Sequence, residues 1–238
     1  MADTTEDGLL GGRVRLLQPR RGYRVAVDAV LLAAAVDARA GQRVLDLGCG
    51  AGAVALCLAA RVPTVEIVGV ELQETFADLA TRNSVLNRVE DRVRIVQHDI
   101  AGGLPSGLGA FDHVASNPPY LAAAVADLPP DQGKALATVE SSADLVRWLE
   151  VARSALKPDG TLTLIHRQDR EDEILAGLDR VGLPDIATKA LADAGRLLIR
   201  AQRGGRRREV SPPLLLHKPG GYSDAAEAIL RHAAPLAF

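Results

Sequence analysis

Residues 45–56 read LDLGCGAGAVAL, and this stretch decides the fold. Its first residues are apolar on either side of Asp46, which predicts a buried strand that ends near this aspartate. Three glycines follow at alternate positions and open a helix: Gly48, Gly50 and Gly52. Glycine lets the backbone turn tightly and lets a ligand approach a helix N-terminus without meeting a Cβ atom. The stretch therefore predicts a strand, a ligand-binding loop and a helix.

The rest of the chain alternates in the same way. From residue 42 onward, short β-branched or leucine-rich segments are followed by helical ones, a pattern typical of a doubly wound parallel sheet. Two later extended segments, DIATKAL (185–191) and RLLIRAQR (196–203), are separated by a short turn and predict an antiparallel hairpin at the sheet edge. The fold class is therefore α/β.

Carboxylates follow three successive predicted strands: Asp46, Glu71 and Asp99. Because the carboxyl ends of parallel strands meet at one edge of the sheet, where such folds bind ligands, we expect the three acids to line one crevice. Glu71 would accept hydrogen bonds from both hydroxyls of a ribose, and Asp99 from an adenine amino group. Both predictions indicate a nucleoside ligand.

The glycine loop leaves two classes of nucleoside ligand open. Its spacing also fits the dinucleotide fingerprint G-x-G-x-x-G/A, so a nicotinamide or flavin enzyme is one alternative. Asp46 disfavours that alternative, because a carboxylate at the strand end would repel a pyrophosphate, whereas it would attract the cationic amine of an amino-acid group.

Residues 116–120 read SNPPY and directly follow the predicted strand FDHVA (111–115). Proline cannot donate to a strand ladder, and it pushes the preceding residue away from helical geometry. The chain must therefore turn outward here, into a loop that is rich in carbonyl groups and poor in N–H donors.

Taken together, the motif D-x-G-x-G-x-G from Asp46, the two later acids and the N-P-P-Y loop resemble the class I methyltransferases that use S-adenosylmethionine and methylate planar nitrogen. The resemblance covers roughly residues 40–166. It implies a Rossmann-like, mostly parallel seven-stranded sheet with an antiparallel edge hairpin and helices on both faces. It also implies that the cofactor is bound by Asp46, Gly48, Cys49, Gly50, Gly52, Glu71, Leu72, Asp99, Ile100 and Asn117.

The same resemblance gives the loop a chemical role. An amine on adenine, or a glutamine amide, is a poor nucleophile because its lone pair is delocalised into the adjacent π-system. The side-chain oxygen of Asn117 and the carbonyl of Pro118 would accept its two hydrogens and stabilise the developing positive charge. Pro119 would help to fix the loop, and Tyr120 would stack on the planar substrate. This chemistry needs no metal.

The flanks indicate the substrate. The segments LLQPRRGYRVAVDAVLLAAA (16–35) and PPLLLHKPGGYSDAAEAIL (212–230) resemble the bacterial tRNA adenine-N6 methyltransferases that modify the adenosine 3′ of the anticodon in a valine tRNA. The alternatives are glutamine-N5 methylation of a protein, adenine or guanine methylation of rRNA or DNA, and a binding module without chemistry. Phosphate and base contacts are predicted at Arg20, Arg21, Tyr23, Arg24, Arg206, Arg207 and Arg208.

Composition sets the remaining bounds. The chain of 238 residues is 47% hydrophobic and has a net charge of −2, so a basic surface can come only from its two arginine-rich stretches, residues 13–24 and 200–208. These two stretches form either one basic face or two separate loops. Its start is acidic and no apolar segment is long enough to span a bilayer, which predicts a cytoplasmic protein.

Cys49 and Cys57 are predicted to be small buried apolar residues, and Trp148 is predicted to be a core residue. We expect a single domain, with an N-terminal elaboration over 1–40, the core over 41–201 and a C-terminal extension over 202–238.

Overall fold

The computed structural model describes residues 3–22, 24–119 and 143–238. The strands are β1 (Thr4–Leu9), β2 (Val14–Pro19), β3 (Arg43–Leu47), β4 (Glu66–Glu71), β5 (Val93–Gln97), β6 (Phe111–Ser116), β7 (Leu156–Arg167), β8 (Asp185–Leu191), β9 (Arg196–Gln202), β10 (Arg208–Leu214), β11 (His217–Lys218) and β12 (Gly221–Tyr222). The α-helices are α1 (Val27–Ala35), α2 (Ala53–Arg61), α3 (Glu74–Leu86), α4 (Leu145–Ala155), α5 (Glu171–Arg180) and α6 (Asp224–His232).

The central sheet has the order β10-β8-β9-β7-β6-β3-β4-β5. Pairing is parallel from β5 through β4, β3 and β6 to β7, and the β8–β9 hairpin joins β7 in antiparallel orientation. The order turns back at β3, because the chain goes from β3 to β4 on one side and later places β6 on the other. A crevice opens at the carboxyl ends of the strands where the order reverses in this way.

The predicted α/β fold and the antiparallel hairpin are confirmed, but the strand count of seven is wrong. The sheet has eight strands, because β10 adds to β8 in parallel and takes the edge position that the hairpin was expected to hold. The sequence of β10, REVSPPL, does not read as a strand because it contains two prolines, which cannot donate to a ladder. Such a segment can pair only at a sheet edge.

The two flanks of the chain pack on each other. The N-terminal residues form the β1–β2 hairpin and α1, and buried side chains of this region share one hydrophobic core with α6. The contact is close: a Cβ atom at Gly11 would lie 2.6 Å from the carbonyl oxygen of Arg231, and the Arg13 guanidinium donates to that oxygen at 2.6 Å. Leu236 donates its backbone N–H to Ala34 at the end of α1.

A second core fills the other face of the sheet, between the strands and helices α4 and α5. The helices therefore cover both faces, as the sequence predicted. Among the described residues, no helix has both the length and the apolar character that crossing a membrane requires.

Candidate active site

A crevice lies at the carboxyl ends of β3, β4, β5 and β6, and it collects most of the residues that the sequence predicted for the site. The segment before α1 adjoins it through Val25, α1 adjoins it through Ala29, and α4 adjoins it through Trp148. The predicted residues that line the crevice are Asp46, Gly48, Cys49, Gly50, Glu71, Leu72, Asp99, Ile100, Asn117 and Pro119.

The glycine loop connects β3 to α2 and is anchored to β4. The backbone N–H groups of Gly48 and Cys49 both donate to the carbonyl of Val70, at 2.9 and 3.0 Å. Gly48 and Gly50 have positive φ angles of 77° and 54°, which other residues adopt only at a cost. The loop thus keeps its backbone at the crevice surface, with no side chain at Gly48 or Gly50 to block a ligand.

Gly52 has a packing role in the structure. It is the N-terminal cap residue of α2, with a φ of 86°, and it does not line the crevice. A Cβ atom there would lie 3.3 Å from the Cβ of Ala80 on α3. Gly52 therefore allows α2 and α3 to pack closely, while Gly48 and Gly50 are the glycines of the loop that line the crevice.

Asp46 is only 1% exposed at the end of β3. Its pKa is raised to about 7, chiefly by burial and to a smaller extent by the charge of Glu71, while a hydrogen bond from the backbone N–H of Ala55 opposes the shift. A carboxyl group in this state is stabilised as a carboxylate by any cation that enters the crevice. Asp46 is therefore suited to an ammonium group.

Glu71 ends β4, and its carboxylate is held on both sides by backbone donors. One oxygen accepts from Gly50 at 2.9 Å and the other from Gln73 at 2.9 Å. Burial raises the pKa of Glu71, and these backbone hydrogen bonds oppose the shift. The backbone N–H of Leu72 contributes a third such hydrogen bond, and a carboxylate has about four lone-pair positions, so the oriented group can still accept from a hydroxyl of a ligand in the crevice.

Asp99 follows β5 at the exposed rim of the crevice. One of its oxygens accepts from the backbone N–H of Ala101 at 2.9 Å and so caps a short 3₁₀ helix. The buried side chain of Ile100 lies beside it and adds an apolar surface. Together they offer an acceptor and an apolar face, as recognition of a nucleobase requires.

The Asn-Pro-Pro loop leaves the end of β6. Asn117 and Pro119 line the crevice, and Pro118 is buried. Tyr120 lies outside the described residues. His166 of β7 is fully buried, and its burial lowers its pKa to about 4, although a hydrogen bond with the backbone of Pro119 opposes the shift. The imidazole of His166 is therefore neutral, and its contact with the Pro119 backbone supports the loop.

Trp148 is the residue whose role the sequence analysis missed. The helical spacing of its apolar neighbours predicted a core residue, and it does pack against the core, but it also lines the crevice. Its indole N–H donates to the hydroxyl of Ser116 at 2.8 Å, and that hydroxyl donates to the carbonyl of Leu47. A Cβ atom at Gly48 would lie 2.7 Å from the indole ring. Trp148 thus connects the glycine loop to the start of the Asn-Pro-Pro loop.

Both cysteines are buried and free, as predicted. Burial raises the pKa of Cys49 well above its usual range, and the nearby carboxylates of Asp46 and Glu71 raise it further. The Cys49 thiol is therefore protonated and no nucleophile, although it faces the crevice. A side chain at Gly69 would collide with it, because a Cβ atom there would lie 2.8 Å from the Cys49 sulfur.

The first arginine-rich stretch ends next to the crevice, because its last residue, Arg24, directly precedes the crevice residue Val25. Arg20 pairs with Asp3 at 3.0 Å, and Arg24 pairs with Asp7 at 2.8 Å. Arg21 is exposed, and within the described part of the chain it makes no ion pair. Tyr23 lies outside the described residues.

The second arginine-rich stretch lies at the opposite end of the sheet. Strand β10 begins at Arg208 and runs parallel to β8, which runs in the same direction as β7 because both are antiparallel to β9. Its start therefore lies at the amino ends of the strands, away from the crevice. Arg207 pairs there with Asp185 at 3.6 Å and Arg208 with Asp179 at 2.6 Å, while Arg206 is exposed. The two stretches do not form one basic face.

Metal chemistry has no visible site in the crevice. In the ranges 3–22, 24–119 and 143–238, no three His, Cys, Asp or Glu residues are grouped so that they could hold a metal ion. The crevice instead offers carboxylate oxygens, which can accept hydrogen bonds from an amine and from hydroxyl groups.

The chain is similar in sequence to two curated methyltransferases and in fold to a solved structure. It is 35% identical over 156 residues to the tRNA1(Val) (adenine(37)-N6)-methyltransferase of Yersinia enterocolitica, and 33% identical over 152 residues to that of Bacteroides thetaiotaomicron. The alignments cover 65% and 63% of this chain, and they span 61% and 62% of those relatives. A solved structure from Agrobacterium tumefaciens, described as a predicted O-methyltransferase, has a TM-score of 0.70 at 26% identity, with 89% of this chain and 99% of that chain covered.

The family match covers the glycine loop, all three strand-end acids and the Asn-Pro-Pro loop, since residues 24–178 match the methyltransferase small domain. Proteins of this family use S-adenosylmethionine, and the residues of the crevice fit that cofactor in three respects: an open glycine loop, a buried carboxyl group for its amine and an oriented carboxylate for its ribose. This chain belongs to the methyltransferase small domain family, and S-adenosylmethionine is its cofactor.

Proposed function

We propose that the protein methylates the exocyclic N6 of an adenine in RNA, and that its substrate is the tRNA adenosine 3′ of the anticodon. The observation that carries this proposal is the position of the Asn-Pro-Pro loop. Asn117 and Pro119 line the same crevice as Asp46 and Glu71, so the loop that would hold the substrate amine adjoins the residues that suit the cofactor.

Four groups of the chain would hold the cofactor. The backbone of Gly48 and Gly50 would contact its methionine part, and the Asp46 carboxylate would pair with its amine. The two oriented oxygens of Glu71 would accept from its ribose hydroxyls, and Asp99 would accept from its adenine amino group. When bound, S-adenosylmethionine supplies an electrophilic methyl group on a sulfonium centre.

The Asn-Pro-Pro loop would prepare the substrate amine. The Asn117 side-chain oxygen and the Pro118 carbonyl accept its two N–H hydrogens, which concentrates the lone pair on nitrogen and stabilises the positive charge that develops there. The buried His166 and the rigid Pro119 keep this loop in place. The amine can lose its proton after the transfer, so no strong base is needed beside it.

Two observations favour tRNA over the other substrates. The curated relatives are tRNA1(Val) (adenine(37)-N6)-methyltransferases, and the family match over residues 24–178 includes the whole crevice. The first arginine-rich stretch also adjoins the crevice, where Arg20, Arg21 and Arg24 could contact phosphates next to an unstacked base. A cytoplasmic location follows from this substrate.

The test is a methyl-transfer assay with purified protein and radiolabelled S-adenosylmethionine. Separate pools of unmodified tRNA, rRNA, DNA and cellular protein are offered, and the labelled product is digested and identified by mass. We expect N6-methyladenosine from the tRNA pool. Label on glutamine in the protein pool, or on adenine in rRNA or DNA, would replace the proposed substrate by that alternative.

The Asn117→Ala variant provides the matched control. Its rate of transfer should fall by about 10²–10³, because one of the two acceptors for the amine is lost, while cofactor affinity stays near that of the wild type. A variant that retains a near-normal rate would show that the loop does not hold the reacting amine.

A further inference from the structure

Two asparagines on α3, Asn83 and Asn87, face the free edge of β2 one helical turn apart. Asn83 accepts from the backbone N–H of Leu17 at 2.7 Å and donates to its carbonyl at 2.8 Å. Asn87 accepts from the N–H of Arg15 at 2.9 Å and donates to its carbonyl at 2.7 Å. The two side chains thus satisfy alternate residues of β2 as a neighbouring strand would, and they fix the hairpin to the helix.

Asn83 makes one further contact that Asn87 does not. Its amide group donates a second hydrogen bond, at 2.9 Å, to the carbonyl of Ala51, which lies in the glycine loop and lines the crevice. Asn83 is fully buried, so water cannot replace either partner when the side chain is removed. One side chain therefore joins the hairpin to the loop that would contact the cofactor.

A second link runs from the hairpin to the crevice wall. The side chain of Gln18, which is 4% exposed, accepts from the backbone N–H of Val25 and donates to Asp7, both at 2.8 Å. Val25 lines the crevice. The hairpin thus holds one wall of the crevice through Gln18 and the glycine loop through Asn83.

We propose that Asn83 is a positioning residue for cofactor binding, and that it makes the shape of the glycine loop depend on the docked β1–β2 hairpin. The proposal rests on the cofactor assignment given above, but not on the identity of the methylated substrate. Asn87 provides a matched control, because its loss removes the same number of hydrogen bonds to β2 without touching the glycine loop.

The experiment compares Asn83→Ala with Asn87→Ala by titration calorimetry with S-adenosylmethionine. We expect Asn83→Ala to weaken binding about tenfold or more and Asn87→Ala to change it less than about twofold, since an unmade buried hydrogen bond costs about 1–3 kcal/mol. At saturating cofactor, Asn83→Ala should retain most of the wild-type kcat, while its KM for the cofactor should rise. Equal losses of affinity in the two variants would overturn the proposal.

Hydrogen exchange of the cofactor-free protein gives an independent readout. Amides of the glycine loop and the first turn of α2, residues 50–56, should exchange faster in Asn83→Ala than in Asn87→Ala. If the wild type does not bind S-adenosylmethionine, the cofactor assignment fails, and exchange alone then decides whether Asn83 holds the loop. Should Asn83→Ala not fold, Asn83→Ser takes its place: the shorter hydroxyl cannot bond to both Leu17 and Ala51, so unchanged affinity and exchange in that variant would also contradict the proposal.

Discussion

The two ends of the parallel strands hold carboxylates in opposite states. At the amino ends, acids are paired with cations: Asp112 with Lys157 at 2.8 Å, and Glu66 with Arg43 at 3.5 Å. At the carboxyl ends, Asp46 and Glu71 are buried and accept from backbone N–H groups, and within residues 3–22, 24–119 and 143–238 neither forms an ion pair.

This difference separates acids that stabilise the fold from acids that serve a ligand. Burial of Asp112 alone would raise its pKa, but the backbone N–H of Arg43 and the Lys157 ammonium outweigh it and lower the pKa. Asp46 has no such cation, and its pKa is raised to about 7. Ionisation of a buried carboxyl group with a raised pKa costs free energy. Such a group in a crevice indicates a cationic or hydroxyl partner on a bound ligand.

The largest effect is expected at Glu71. In Glu71→Ala, affinity for S-adenosylmethionine should fall about 100-fold, because two hydrogen bonds to a charged acceptor are lost at about 1.5–3 kcal/mol each, part of which the free protein recovers. Titration calorimetry measures this change. The amino-end variant Asp112→Asn serves as the control and should bind the cofactor normally. An unchanged affinity in Glu71→Ala would exclude the ribose role.

The Asp46→Asn variant should bind the cofactor more weakly than the wild type but be more stable in its absence. In Asp46→Asn, affinity for the cofactor at pH 8 should fall about tenfold, because a charge-assisted hydrogen bond to the amine becomes a neutral one. Wild-type affinity should also weaken by up to about tenfold per pH unit below pH 7, since a proton then competes with the amine, and this dependence should vanish in Asp46→Asn. A pH dependence that persists in the variant would assign the titration to another group.

The stability of Asp46→Asn has a definite sign. The folded-state pKa of about 7 lies above the ordinary aspartate value of 3.8, so wild-type stability falls as pH rises between about 4 and 7. The variant does not carry this cost and can still accept from Ala55. In the absence of cofactor it should therefore exceed the wild type by about 2–4 kcal/mol in free energy of unfolding at pH 8, with the difference vanishing near pH 4. Chemical denaturation at several pH values measures it.

Asp112 sharpens the comparison with the reverse pH dependence. Its folded-state pKa is lowered, so its contribution to stability is present above pH 4 and is lost as pH falls below that value. Asp112→Asn should lower the free energy of unfolding by about 1 kcal/mol at pH 8, a modest value because Lys157 is partly exposed, and this difference should shrink as pH falls below about 4. Destabilisation that grows toward low pH would contradict this account.

The parts of the site that follow from backbone topology could be predicted from the sequence. The acids Asp46, Glu71 and Asp99 end successive parallel strands, so the strand pattern alone places them at one edge. Asn83 could not be found in this way, because its partners Leu17 and Ala51 are distant in the chain and no local signal marks a side chain that bonds to a remote backbone.

Two other differences have the same physical origin. The spacing of Trp148 fits a core helix, and only the bare backbone of Gly48 makes room for the indole at the crevice. The placement of Arg206–Arg208 depends on β10, whose prolines disguise it as a loop, and on its parallel pairing with β8. Long-range packing of this kind is not encoded in a local pattern.

The smallest effect compares the two arginine-rich stretches directly. Reversing Arg20 and Arg21 to Glu should weaken tRNA binding and reduce the slope of log affinity against log salt by about 1–2, because their stretch ends next to the crevice. Reversing Arg207 and Arg208 should change the slope less, since both lie at the opposite end of the sheet from the crevice. Equal slopes for the two double variants, measured by filter binding over a salt series, would mean that tRNA reaches both ends of the sheet and that proximity to the crevice does not decide which arginines bind it.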